Sequence, residues 1–308
     1  MNLHTEFKRF DENIKLTTSK KEQILRSRNA VRDKIRSYFK VDLKTNQPKF
    51  MWQGSFAMNL ALNPIDENEV DIDDGLYLKH VNENDIETWP TPKETHKMIL
   101  NALKDHTQTG CEDKTSCVRV IYKNTYHVDI PIYIMHGSHA KLANVKSNKW
   151  ETSDSKDFRD WFYNNRKDEQ TSRIVRYLKA WRDYKNLDFA SIELTILVTR
   201  FHIRNEDDGL ALKLTIDNIY TNLSTYKKIE KPVAPYENLW AGKENEIDLL
   251  LKSFKQLKDD LTTIYNSESK HRASLILREQ FGDRFPLIKE NQDNTKENNW
   301  SPKPWGNQ

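Results

Sequence analysis

Residues 53–77 read QGSFAMNLALNPIDENEVDIDDGLY, and the spacing of acids and apolar residues inside this stretch decides the fold. Val70-Asp71-Ile72-Asp73 alternates apolar and acidic side chains, the period of a half-buried strand. Val70 and Ile72 then face the core, and the Asp71 and Asp73 carboxylates leave the other face one strand pitch apart. Carboxylates that close repel each other unless a cation lies between them. Asp66, Glu67 and Glu69 precede the strand and read as solvated acids. Asp74 has the wrong parity for the pair, and with Gly75 it reads as a residue that turns or bulges the strand. Upstream, Gly54 admits close backbone approach to a ligand. The Ser55 hydroxyl and the N–H groups after it are suited to a phosphate oxygen.

A second stretch repeats the pattern. In His127-Val128-Asp129-Ile130-Pro131, Asp129 is framed by apolar neighbours, a costly place for an unpaired charge. If this strand lies beside the first, Asp129 joins Asp71 and Asp73 in one cluster. Three carboxylates with water and phosphate oxygens suit Mg²⁺, with Mn²⁺ as the alternative. They also suit two ions roughly 3.5–4 Å apart, the spacing that clamps both oxygens of a phosphoryl transfer. His127 shares the parity of Asp129 and reads first as a plain sheet histidine, with support of the aspartates from behind as the alternative.

The rest of the chain sets the context. Of its 308 residues 31% are charged and 36% hydrophobic, and the eight Trp, twelve Tyr and twelve Phe supply enough apolar area to argue against disorder. No apolar run is long enough for a membrane span, and the N-terminus lacks a signal peptide's apolar segment, so a cytoplasmic location without a membrane partner is expected. A net charge of +3, with both signs interspersed, does not mark a nucleic-acid binder. Cys111 and Cys117 make no disulfide framework. With His106, His127, His136 and His139 they fit no standard zinc spacing, and they read as buried thiols.

Helical periodicity over residues 18–40 predicts a long N-terminal helix, capped by Thr18 or by Ser19 with Glu22 as its capping-box partner. KFMWQ reads as a short strand, SFAMNLALN as a short helix, and 69–78 as the aspartate strand. A helix follows from Pro92, with Thr91 as N-cap and Glu94 three residues on. CVRVIYK and TYHVDIPIYIM read as two adjacent strands joined at Asn124. Beyond about residue 155, five stretches carry helical periodicity. The expectation is an α+β molecule: a core of mixed sheet and helices over 1–154, a helical C-terminal lobe over 155–290 closing the cleft, and an extended or mobile tail over 291–308.

Gly-Ser, a short spacer, Asp-x-Asp and a third Asp on a later strand together resemble the polymerase-β-type nucleotidyltransferases. Within them, Gln53-Gly54-Ser55-Phe56, Asp71-Ile72-Asp73-Asp74-Gly75, HVDIPIY at 127–133 and RIVRYLKAW at 173–181 closely resemble the bacterial cGAS/DncV-like nucleotidyltransferases. The resemblance spans roughly residues 50–200. It implies a bilobal polymerase-β-like core with a long N-terminal spine helix. It also implies that Gln53, Gly54 and Ser55 bind the nucleotide, that Lys179 and Ser191 contact the donor triphosphate, and that Asp71, Asp73 and Asp129 are catalytic metal ligands. From the residues alone Lys179 reads as a solvent-facing helix lysine. Arg173 and Arg176 lie on the same helix as further phosphate contacts, and Met58, Tyr77, Arg119 and Tyr122 are candidates for the base pocket.

The implied activity joins NTPs, ATP or GTP foremost, into a cyclic oligonucleotide with release of pyrophosphate. Its implied setting is anti-phage (CBASS-type) signalling, with a separate effector protein and accessory proteins as partners. Ile192 stands where animal cGAS has a base-stacking tyrosine, and no zinc-binding thumb is evident, so activation by double-stranded DNA is not expected. Two rival readings share this core: nucleotidyl transfer to an RNA end, a small molecule or a protein, and an inactive nucleotide-binding subunit.

Overall fold

The computed structural model describes residues 1–65, 70–122, 126–153 and 155–290; the expectations for Asp66, Glu67, Glu69, the turn at Asn124 and the tail 291–308 lie outside the described residues. The first half of the chain holds α1 (His4–Ile14), α2 (Thr18–Ser37), β1 (Lys49–Trp52), α3 (Gly54–Ala57), β2 (Val70–Tyr77), α4 (Pro92–Leu103), β3 (Cys111–Asp113), β4 (Val118–Tyr122), β5 (Tyr126–Ile130), β6 (Ile132–His136), β7 (His139–Asn144) and β8 (Lys149–Thr152). The second half is helical, with α5 (Ser155–Asn165), α6 (Glu169–Lys185), α7 (Ser191–Phe201), α8 (Asp208–Tyr226), α9 (Glu244–Tyr265) and α10 (Lys270–Phe281). The chain is α+β, as expected. Among the described residues no helix is long and apolar enough to cross a membrane.

The sheet runs in the order β3-β4-β5-β2-β6-β7-β8, with β1 antiparallel on β2. β2 pairs parallel with β5 through Val70↔Tyr126 to Asp73↔Asp129, and then with β6 through Leu76↔Ile132 and Tyr77↔Tyr133. The offset is the same throughout. TYHVDIPIYIM, expected as one strand, is therefore a single extended run interrupted at Pro131, which has no N–H to donate. Its carbonyl still accepts from Leu76 N at 2.9 Å, so the register carries across the break.

Two local expectations are corrected. Helix α2 is capped by Thr17, whose hydroxyl accepts from Lys20 N at 3.3 Å, and not by Thr18 or Ser19. Asp74 neither turns nor bulges β2, which continues to Tyr77. Asp74 is 1% exposed and meets the Arg32 guanidinium on α2 through both carboxylate oxygens, with Arg32 Nε at 2.6 Å from Oδ2. Its opposite parity thus aims it at a half-buried partner behind the sheet. The capping box of α4, Thr91 with Glu94 and Pro92 in the first turn, is as expected.

Two large apolar clusters and a small third one around Tyr77, Tyr133 and Ala140 carry the packing of the described residues. One joins the sheet to α2 and α4 through Ile24, Val31, Ile35, Ile72, Ile99 and Val128. The other fills the helical half, and α1 belongs to it: Phe7 and Phe10 pack against Tyr177, Phe281 and Phe285. A buried ion pair anchors α1 to α6. Arg176 donates to both Asp11 oxygens at 2.7 and 2.9 Å and to the Asn59 carbonyl at 2.8 Å, so it also holds the segment that follows α3. Arg176→Met should cost about 3–5 kcal/mol in urea unfolding, because Asp11 is left as an uncompensated buried charge. The double variant Asp11→Leu, Arg176→Met should recover most of that loss.

Candidate active site

The register of β2 and β5 builds the acidic wall. Val70 and Ile72 are 6% and 2% exposed, and Asp71 and Asp73 leave the opposite face, as the alternation requires. Asp129 is the direct strand neighbour of Asp73 and is itself buried. Burial, Asp129 and Asp71 together push the Asp73 carboxyl up to about 6. On the far side of Asp129, β4 contributes Arg119 as its cross-strand partner. Arg119 Nε and Nη2 each donate to an Asp129 oxygen at 2.8 Å, and Nη2 lies 3.3 Å from Asp71 Oδ1. His127 Nδ1 is 3.6 Å from the same Asp71 oxygen. Among the described residues no three His, Cys, Asp or Glu side chains are placed to hold a metal ion.

The donor set nevertheless fits a hard divalent cation. It consists of oxygen ligands on neighbouring strands, with one carboxyl raised by burial and by its two acidic neighbours. The Arg119 guanidinium already stands in as a cation on two of the three carboxylates.

Gly54 closes over this wall. Its φ is +67°, and a Cβ there would lie 1.9 Å from Asp73 Oδ2, so only glycine lets the chain cross so near the carboxylate. α3 is shorter than SFAMNLALN suggests, covering only Gly54–Ala57, and Leu60 N returns to the Ser55 carbonyl at 2.8 Å. Gln53, expected among the nucleotide-binding residues, turns the other way. It is 3% exposed and donates to the Tyr133 hydroxyl at 3.2 Å. Gly75 makes room for it, since a Cβ there would meet Gln53 Oε1 at 2.9 Å. Gln53 therefore supports the Gly54 corner from behind rather than lining the site.

A cavity of about 670 Å³ opens between the acidic wall and the helical half. Gly54, Ser55, Asp71, Asp73, Asp129, Lys179 and Ser191 all line it. Lys179 is buried, not solvent-facing, and donates to the Leu60 carbonyl at 2.9 Å. Burial, with Arg182 nearby, holds its amine down at about 8. Ser191 opens α7, and its hydroxyl accepts from Arg182 Nη1 at 3.0 Å.

Sequence reasoning missed Arg182 and Lys231, which also line the cavity. Arg182 lies three residues beyond Lys179 on the same helix face, a spacing that could have revealed it. Lys231 sits in the connection after α8, where periodicity carries no signal. Other candidates are corrected. Arg173 is spent on Asp208 and Arg176 on Asp11, both by two hydrogen bonds. Tyr77 stacks on Tyr133 and Tyr122 on Tyr126, each away from the cavity, and of the four base-pocket candidates only Met58 lines it.

The raised Asp73 carboxyl gives a pH prediction. Its folded pKa exceeds the unfolded value, so the ionised carboxylate opposes folding, and stability is lost as pH rises from the unfolded value through about 6. Asp73→Asn should therefore raise the Tm of the metal-free protein at pH 7.5 by about 2–4 °C. The gain should shrink at pH 5 and vanish below the unfolded pKa, as read by calorimetry in chelator.

Comparison with known proteins agrees with this geometry. The family described as "Cyclic GMP-AMP synthase DncV-like, nucleotidyltransferase domain" matches residues 48–133, which span Gly54, Ser55 and all three aspartates. A c-di-GMP synthase of Roseivirga ehrenbergii is 22% identical over 281 residues, covering 77% of this chain and 73% of that protein. GTP-bound DncV of Vibrio cholerae superposes with a TM-score of 0.79 at 19% identity, over 92% of this chain and 96% of that one. The Vibrio cholerae DncV cyclic AMP-GMP synthase in complex with the linear intermediate 5′ pppA(3′,5′)pG gives 0.77 at 20% identity, over 92% and 97%. Residues 48–133 thus match the model of a DncV-like nucleotidyltransferase domain, within a chain that shares the DncV fold over nearly its whole length.

Proposed function

We propose that the chain joins two or more nucleoside triphosphates, ATP or GTP foremost, into a cyclic oligonucleotide with loss of pyrophosphate at each transfer. The observation that carries this reading is the single cavity shared by Gly54, Ser55, Asp71, Asp73, Asp129, Lys179 and Ser191. At about 670 Å³ it falls within the usual range of ligand pockets. The names of the matched relatives, a c-di-GMP synthase and a cyclic AMP-GMP synthase, support cyclisation as the outcome.

The donor triphosphate lies across the cavity. The Ser55 hydroxyl and the Ser191 hydroxyl, at the start of α7, each offer a hydrogen bond to phosphate oxygens, and the helix end favours their charge. Lys179 adds a cation whose amine, held down by burial, gains a proton-stabilising partner when phosphate arrives. Together these groups fix the α-phosphate in line for attack by a ribose hydroxyl of the second nucleotide. The hydroxyl oxygen bonds to phosphorus, its proton is lost, and the bond to the pyrophosphate oxygen breaks. Asp71, Asp73 and Asp129 would hold Mg²⁺, or Mn²⁺ in its place, in a two-ion arrangement that makes the hydroxyl more acidic and neutralises the leaving oxygen. A second transfer in the same cavity closes the ring. The product acts as a second messenger in bacterial anti-phage signalling, read by a separate effector protein, and the enzyme works in the cytoplasm.

The test is incubation of the purified protein with labelled NTPs and Mg²⁺ or Mn²⁺. Phosphatase-resistant label, identified by mass spectrometry as a ring, is the expected result. Label retained on RNA or protein would favour transfer to another acceptor, and no turnover with any NTP would count against both. Asp71→Ala with Asp73→Ala should abolish product while circular dichroism is unchanged. Gly54→Ala should lower kcat about 100-fold, because its Cβ would displace the Asp73 carboxylate.

A further inference from the structure

Arg119 lies in one row of cross-strand neighbours. Glu112 on β3, Arg119 on β4, Asp129 on β5 and Asp73 on β2 are successive Cα partners across the sheet. Successive partners in a ladder share a face, so these four side chains leave the sheet on one side. Arg119 thus has a carboxylate to either side. Its planar fork is fully engaged on Asp129, through two bonds of 2.8 Å, and reaches Asp71 at 3.3 Å. Glu112 is exposed and is held by Lys114 at 2.6 Å. Paired charge-assisted bonds of this kind are among the stronger side-chain contacts and specify geometry as well as energy. They use both oxygens of Asp129 and part of Asp71, the same atoms a cation would need.

We infer that Arg119 is a latch on the acidic wall: in the nucleotide-free protein it occupies Asp129 and Asp71 together, and it swings toward Glu112 when they take up a divalent cation. The inference rests on the metal-dependent reading above and adds an order of events to it. A latched protein binds free metal weakly, because the apparent dissociation constant is the intrinsic one divided by the unlatched fraction. The cation is then taken up with the nucleotide, whose phosphates supply the remaining ligands, and the empty enzyme does not fill with metal beforehand. Arg119 is a positioning residue in this scheme, since it acts through Asp129 and Asp71.

Mn²⁺ binding to the nucleotide-free protein, followed by the loss of the free-ion EPR signal, tests it. Arg119→Met removes both the fork and the charge. Arg119→Lys keeps the charge but cannot match the two-oxygen geometry. Both should tighten Mn²⁺ binding, Arg119→Lys by about three- to tenfold. Glu112→Gln should weaken binding in the wild-type background and have no effect beside Arg119→Met. Tightening by Met alone, with Lys like wild type, means a simple charge effect and overturns the latch. Unchanged affinity in both variants, with cyclic product still formed from NTPs, overturns the latch and leaves the enzymatic reading standing. If Asp71→Ala beside Arg119→Met leaves Mn²⁺ binding intact, the ion sits elsewhere, and the latch and the metal assignment fall together. Should Arg119→Met fail to fold, Arg119→Lys and the exposed Glu112→Gln carry the test alone.

Discussion

The register between β2 and the β5–β6 run is the constraint on which the site depends. A shift of one residue would turn Asp71 and Asp73 into the core and Val70 and Ile72 out to the cavity. The register is held by features that have nothing to do with chemistry. Val70, Ile72, Val128 and Ile130 are buried on one face, and Leu76 and Leu78 are tied to the carbonyls of Pro131 and Tyr133 beyond the acidic end. Asp74 adds a charged check, because only this register aims it at Arg32. Apolar burial thus fixes the strand, and the acids take the positions that burial leaves over.

The helical half reaches the acidic wall through a short stretch of chain, Asn59–Leu60, just after α3. Arg176 grips the Asn59 carbonyl and Lys179 the Leu60 carbonyl, one turn apart on α6. The Lys179 bond is buried and the Arg176 bond partly so, and hydrogen bonds to charged groups in such places are costly to leave unmade. The same stretch follows Gly54, which lies against Asp73. A displacement of α6 would therefore move Lys179 and the Gly54 corner together. This coupling supports a triphosphate contact made jointly by the two halves.

Much of this was legible in the sequence, for reasons that can be stated residue by residue. Asp71 and Asp73 were readable because a strand has a period of two, and Thr91-Pro92-Glu94 because a helix start needs particular side chains. Gly54 was readable as a close-approach residue, although what approaches it is Asp73 as well as any ligand. The misses share a cause: they depend on what lies across space. Gln53 is polar beside a functional pair, and only the fold turns it toward Tyr133. Arg173 and Arg176 have the charge expected of phosphate contacts, and Asp208 and Asp11, far away in sequence, claim them first. Helix α10 carries no strong apolar stripe in its sequence, and its place is set by Phe281 meeting Phe7 and Phe10 from the other end of the chain.

Charge would tie a nucleotide to a metal in this cavity more closely than either motif alone. Asp73 is held above its ordinary range by burial and two neighbouring carboxylates, and Lys179 below its own by burial and a neighbouring arginine. Each is therefore in a state that a ligand would relieve, but not the same ligand. A cation on the aspartates lowers the cost of ionising Asp73, and a phosphate beside Lys179 lowers the cost of protonating it. A triphosphate alone would bring more negative charge to a wall that already repels itself. A cation alone must compete with Arg119 for Asp129 and would leave Lys179 unsatisfied. Only the two together relieve both strains, so the electrostatics of the empty cavity favour the metal–nucleotide complex over either component.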